Sequence, residues 1–277
     1  MNKVRKISSD DTAPAPARAD YGPATVGVDW DDYEGHRTLA VNRAANDRLH
    51  MATRDVHHGS TFVDDFYGGA LDGAWVPLNG SDAQALDPTI TAAKNGVVRL
   101  TCGDDGSTTT VAVNGSQLAT ELNWDASAGR LFGEFRIKVS AITNIVFFAG
   151  FTDSKALEMP LTQNGTTLTS IAADAVGFLF DTNSTNDNLH AVGVKATANA
   201  THENLGSAPV ADTWIRLGVE VFADGTAKFY IDGVKTGNTM TSAVTPTVDL
   251  AATVAVFSET TTSHTLDVDY VRLEQSR

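Results

Sequence analysis

Cysteine is almost absent from this chain: Cys102 is the only one in 277 residues, which excludes an internal disulfide. A chain without disulfides is expected to fold in a reducing compartment. In "VVRLTCG" the thiol falls at the end of a strand-like run, which favours a small buried hydrophobe over a nucleophile. No apolar run reaches the length of about 18 residues that a membrane-spanning helix needs. The opening "MNKVRKISSDDTAPAPARAD" carries basic residues but no apolar core, unlike a secretory signal. Cations are few, 20 Lys and Arg against 34 Asp and Glu, and the net charge of -14 argues against nucleic acid as a partner. Ser-His-Asp arrangements, phosphate loops and dinucleotide fingerprints are also missing.

What is present is apolar material in short pieces. Hydrophobic residues make up 42% of the chain, enough for a packed core. From Thr61 onward they gather in runs such as "GVVRLTC", "GEFRIKV", "NIVFFAGF", "AVGFLF", "AVGVKA" and "ATVAVF", each β-branched or aromatic and bounded by Gly, Asn, Asp or Thr. The strongest hairpin signal is "WIRLGVEVFADGTAKFYIDG". Leu217, Val219 and Val221 alternate with Gly218, Glu220 and Phe222, Asp224-Gly225 supplies a positive-φ turn, and Phe229 and Ile231 return on one face. In "LDVDYVRLEQ", Leu266, Val268, Tyr270 and Arg272 alternate with Asp267, Asp269, Val271 and Leu273. With no long helical pattern after Thr61, residues 61–277 are expected to form one all-β sandwich.

Residues 1–60 differ in character. They are nearly neutral, with 8 Lys and Arg against 9 Asp and Glu, and they hold His36, His50, His57 and His58 of the seven histidines. "APAPARAD" favours extended backbone, and "RTLAVNRAANDRLHMATRD" is compatible with a short helix. Apolar content is too thin for an independent core, so 1–60 reads as an extended N-terminal arm. The aromatic pair Trp30 and Tyr33 on such an arm needs a surface to bury against. With Arg37, Arg43 and Arg48 it forms the candidate partner-binding set. No compact metal-ligand spacing links His50, His57 and His58.

Three segments resemble the concanavalin A-like lectin and glucanase jelly roll. "FVDDFYGGALDGAWVPLNG" (62–80) is similar to its opening strand and "GRLFGEFRIKV" (129–139) to the strand that begins its concave sheet. "WIRLGVEVFADGTAKFYIDG" (214–233) with "LDVDYVRLEQ" is similar to its late hairpin and final strand. The resemblance implies two stacked antiparallel sheets over about 215 residues. Retaining glucanases of this scaffold carry Glu-x-Asp-x-x-Glu on a strand following the sheet-opening one, one carboxylate acting as nucleophile and another as acid/base. No such motif occurs here. The stretch taken as equivalent, "NIVFFAGFTDSKALEMP", offers Asp153 and Glu158 at an odd spacing, and these are expected to be solvated loop acids with no catalytic residues among them.

"VGFLFDTNSTNDNLHAVGV" (176–194) resembles the metal-binding strand-loop of legume-type lectins. Asp181, Asn183, Asp187 and His190 take comparable places, while Leu179 stands where an acid is expected. That departure disfavours a transition metal and leaves Ca²⁺ on Asp181, Asn183 and Asp187 as the cofactor expectation, with an ion-free Asx turn as the alternative. Trp75 and Trp124 are candidate sugar-stacking residues, and Trp214 is a further sheet-edge aromatic. The combination of jelly roll, arm, and absent signal and disulfide resembles virion proteins of tailed bacteriophages. It implies a non-catalytic capsid decoration (cement) protein, made in the host cytoplasm and displayed on the capsid exterior. Its arm would grip the major capsid protein or other virion proteins, as a homo-oligomer with a trimer favoured. A tail-fibre or carbohydrate-binding module holding host glycan is the alternative, and a divergent glycanase or lyase a third.

Overall fold

The computed structural model describes residues 59–91, 96–107 and 110–276 in full, and the backbone of 30–33 and 36–39. The chain divides into 1–58 and 59–277, and strand β3 (Gly59–Asp64) opens the second unit. In the first unit β1 (Trp30–Tyr33) pairs antiparallel with β2 (His36–Leu39), with Trp30 opposite Leu39 and Asp32 opposite Arg37. Trp30, Tyr33 and Arg37 therefore sit on a hairpin, and the helix expected from Arg37 onward does not begin there. Arg43, Arg48, His50, His57 and His58 lie outside the described residues.

The second unit is built from two large antiparallel sheets. The first sheet takes β4 (Trp75–Asn79), β7 (Gly115–Thr120), β9 (Ile145–Thr152), β12 (Ala175–Asp181), β13 (Leu189–Lys195), β14 (Ala198–Asn199), β15 (Glu203–Asn204) and β19 (Ala251–Ser258). Its order is β14-β13-β12-β9-β19-β7-β4, with β15 also on β13. The second takes β3, β5 (Leu86–Ile90), β6 (Val98–Thr101), β8 (Arg130–Val139), β16 (Ile215–Phe222), β17 (Ala227–Ile231), β18 (Val234–Met240) and β20 (Thr265–Ser276). Its order is β18-β17-β16-β8-β20-β6-β5, with β3 also on β20. A separate hairpin joins β10 (Leu161–Asn164) to β11 (Thr167–Ser170), and one short helix, α1 (Val111–Asn114), precedes β7. This is a concanavalin A-like β-sandwich.

Period-two alternation creates the core. In β8 every second residue is buried, so Leu131, Phe135, Ile137 and Val139 point inward while Arg130, Phe132, Glu134, Arg136 and Lys138 face out. Phe147 and Ala149 of β9, Phe178 and Phe180 of β12, and Leu217, Val219 and Val221 of β16 meet them between the sheets. Aromatic pairs tie the layers together: Phe135 meets Phe151 edge-on at 6.3 Å and Phe178 meets Phe229 at 5.5 Å. Each such side chain contributes about 1.5–3 kcal/mol by leaving water. Gly133 makes the first contact possible, because a Cβ there would stand 2.7 Å from the Phe151 ring.

Two local features agree with the sequence, one directly and one with a change. Gly225 has φ +78° in the β16–β17 turn, where Asp224 Oδ1 accepts the Thr226 N–H at 2.9 Å. In β20 the register shifts between Val268 and Tyr270. This bulge changes the inward parity, so Leu266 and Val268 before it and Val271 and Leu273 after it all enter the core.

Candidate functional site

The outer face of the first sheet follows from its register. Val146, Phe148, Gly150 and Thr152 of β9 stand opposite Asp181, Leu179, Gly177 and Ala175 of β12. On the other side they stand opposite Phe257, Ala255, Thr253 and Ala251 of β19. The resemblance implies alternating carboxylates on such a face, yet Asp181 is the only acid among these twelve positions. The connection 153–174, including the β10–β11 hairpin, lies over the face as a strap. Its Met159, Leu161, Leu168 and Ala172 form a second apolar cluster with Val146, Phe148, Leu179, Val192 and Phe257.

At the end of this face the strap builds an acidic rim. The chain leaves β9 after Thr152 and folds back, so the odd spacing of Asp153 and Glu158 does not separate them. The Asp153 N–H donates to the Asp174 carbonyl at 2.9 Å, and Asp174 Oδ1 accepts the Thr245 N–H at 2.7 Å. Gln117 on β7 pins the strap to the sheet: its Nε2 donates to the Ala156 carbonyl at 2.9 Å and its Oε1 accepts the Glu158 N–H at 3.1 Å. Lys155 pairs with Glu121 beside them.

Burial raises the Asp153 carboxyl above the usual range, with the Asp174 charge adding to it. Burial likewise raises Glu158, and the nearby Asp153 charge pushes it further. One Glu158 oxygen is buried without a hydrogen-bond partner. The expectation of solvated loop acids is thus corrected: both side chains are half-buried and couple electrostatically.

The lectin-like loop is also placed. Asp181 is buried; its Oδ2 accepts the Gln163 N–H at 2.7 Å and its Oδ1 the Asn183 N–H at 2.9 Å, the latter an Asx turn. The Asn183 amide donates to Glu259, which also accepts from the Thr182 hydroxyl at 3.1 Å. Asp187 is exposed. His190 is buried, with Nε2 3.4 Å from Ser184 Oγ and its ring 5.7 Å from that of His202. Among the described residues no group of three or more His, Cys, Asp or Glu is arranged to hold a metal ion.

The two tryptophans expected to stack on sugar are core residues. Trp75 packs on Phe62 and Phe66 and donates its indole N–H to Asp64 at 2.7 Å. Trp124 donates to Thr120 Oγ1 at 3.2 Å, and neither ring is more than 8% exposed. Trp214 is half-buried on the outer face of the second sheet, with Arg136 and Lys138 over its ring at 4.9 and 5.1 Å. Cys102 is buried and free, and burial pushes its thiol up to about 11.

Sequence reasoning did not find Gln117, Thr152, Asp174 or Thr253. A polar residue inside an otherwise apolar buried strand, such as Thr253 in "AATVAVF", was the available signal.

No protein-family model matches the chain, and no curated protein does. Solved structures share the fold at low identity. A β-glucanase of Bacillus licheniformis superposes with a TM-score of 0.53 at 14% identity, covering 77% of this chain and 97% of its own. A prokaryotic β-1,3-1,4-glucanase (lichenase) from a mouse hindgut metagenome gives 0.52 at 12% identity, covering 77% and 98%. The carbohydrate recognition domain of Emp47p gives 0.52 at 11% identity, covering 79% and 97%.

These neighbours are lectin and glucanase domains, and the glucanases among them are enzymes. The expectations of a non-catalytic capsid decoration protein and of no enzymatic activity are therefore corrected. Those expectations rested on overall pattern, whereas the fold is shared with carbohydrate-directed proteins, most of them glycoside hydrolases.

Proposed function

We propose a carbohydrate-directed function, with hydrolysis of a glycosidic bond at Glu158 and Asp153 as its chemistry. Glu158 carries the reading. A half-buried carboxyl with a second acid beside it holds its proton more readily than an ordinary glutamate. Glycoside hydrolysis needs such a proton donor for the leaving oxygen, and a second carboxyl group to activate water or attack the sugar. Glu158 supplies the first and Asp153 the second. Gln117 and the Asp174 carbonyl fix the backbone that carries them. The glucanases that share the fold support a polysaccharide such as a β-1,3-1,4-glucan as the substrate class.

The full chain incubated with β-1,3-1,4-glucan and with β-1,3-glucan is expected to release reducing ends. Glu158→Gln should slow release by about 10²–10⁴-fold, the usual worth of a positioned acid. A second reading, glycan recognition at the same rim, is favoured by Ala175, Gly177 and Leu179, which leave the outer face of β12 without alternating acids. Retarded migration in a glucan-containing gel without release of reducing ends would select it. Neither release nor retardation with either glucan would overturn both readings.

A further inference from the structure

We propose that the hydroxyls of Thr152 and Thr253, together with Glu158 Oε1, form a buried site for one neutral hydroxyl group, either that of a water molecule or that of a sugar. All three atoms are buried and none has a hydrogen-bond partner within the protein. Both threonines are fully buried on the outer face of the first sheet. Thr152 stands opposite Ala251, and Thr253 lies two residues further along the same strand, which makes the pair diagonal neighbours. Diagonal side chains lie about 7 Å apart at Cβ, a gap that one oxygen closes with two hydrogen bonds of about 2.8 Å.

The cross-strand neighbours of the two threonines are small. Thr253 is flanked by Gly150 and Ala119, and Thr152 by Ala251 and Ala175, so small residues border both hydroxyls. The Phe148 ring closes one side, its tip lying 3.1 Å and 2.8 Å from where Cβ atoms on Gly150 and Gly177 would stand. From above, the Glu158 backbone is anchored to Gln117, two residues along β7 from Ala119. Both ends of the Gln117 amide serve the strap, through the Ala156 carbonyl and the Glu158 N–H.

A hydroxyl is the chemistry that fits, because it accepts from the threonine O–H groups and donates to the glutamate oxygen. Buried water typically takes about three such partners. The sugar arm rests on the proposed carbohydrate-directed function; the water arm does not.

Thr152→Val and Thr253→Val keep shape and strand preference while removing one hydroxyl each. If the site is occupied, each variant should unfold about 2–4 °C lower, the loss expected for one satisfied hydrogen bond in a domain of this size. Thr152→Ser, which keeps the hydroxyl, should recover part of that loss. Calorimetric titration with a β-1,3-1,4-glucan tetrasaccharide separates the sources. A sugar hydroxyl predicts roughly five- to tenfold weaker binding by either valine variant. Water predicts a lowered melting temperature with tetrasaccharide affinity unchanged, or with no tetrasaccharide binding by any form of the chain. Melting temperatures unchanged or raised in both valine variants, with unchanged affinity, would overturn the proposal, since a truly unpartnered hydroxyl is relieved by its removal. No hydrolysis or glycan binding alongside lowered melting temperatures would sink the functional reading and leave the site standing.

Discussion

Buried titratable groups give this protein an acid sensitivity that can be assigned residue by residue. Burial, and then the nearby His202, hold the His190 imidazole below its ordinary value, so the folded state prefers it neutral. The unfolded chain takes up that proton near pH 6.5. Stability from this group is therefore present above about pH 6.5 and drains away as the pH falls through the lowered folded value. His264 is shifted the same way by burial. Asp153, Glu158, Asp181 and Glu259 act oppositely, because each is raised and the folded state welcomes their protonation. The urea midpoint is expected to fall between pH 7.5 and 5.5, and His190→Gln should make that fall shallower. An identical slope in the variant would remove His190 from the account. None of this was legible in sequence, because "NLH" does not reveal that the ring will be buried beside a second histidine.

Strands differed in how plainly their sequences announced them. The β16–β17 hairpin was readable because its alternation, its Asp-Gly turn and its aromatic return all point to one register. Gly115–Thr120 was not, since "GSQLAT" looks like a polar loop. All six residues are nevertheless buried, and their polar groups are spent internally: Ser116 Oγ donates to the Leu86 carbonyl, and Thr120 Oγ1 accepts from Trp124 and from the Ala252 N–H. Alternation in β20 was visible but its bulge was not, because a register shift is fixed by the partner strand β8. The strap's sequence reads as a loop with stray acids, although Leu161 and Leu168 anchor it as a covering hairpin. Leu161→Ala should cost about 2–5 kcal/mol. Amides of Leu161–Ser170 should then exchange faster while those of β8 and β16 stay protected. Uniformly accelerated exchange would mean that strap and sandwich unfold as one.

At the scale of the molecule, the sequence carried the fold because nine of its strand-like runs sit in an order that two stacked sheets can use. It carried function poorly. The reading as a capsid protein leaned on an arm whose composition says nothing about chemistry, while the acids of the rim come together only through a fold-back that residue spacing hides. Residues 59–277 hold both apolar clusters. A chain of 59–277 should therefore unfold cooperatively, with a melting temperature within a few degrees of the full chain by calorimetry. Loss of cooperativity on removing 1–58 would show that the sandwich depends on its N-terminal segment.

The last strand has a consequence for how the protein is made. β20 lies between β8 on one side and both β3 and β6 on the other, with Ser276 opposite Gly59. The second sheet can therefore close only after β20 has been made. Until then the edges of β8 and β6 that β20 covers wait unpaired, and the pairing of Ser276 with Gly59 joins strands far apart in sequence, a separation that slows folding.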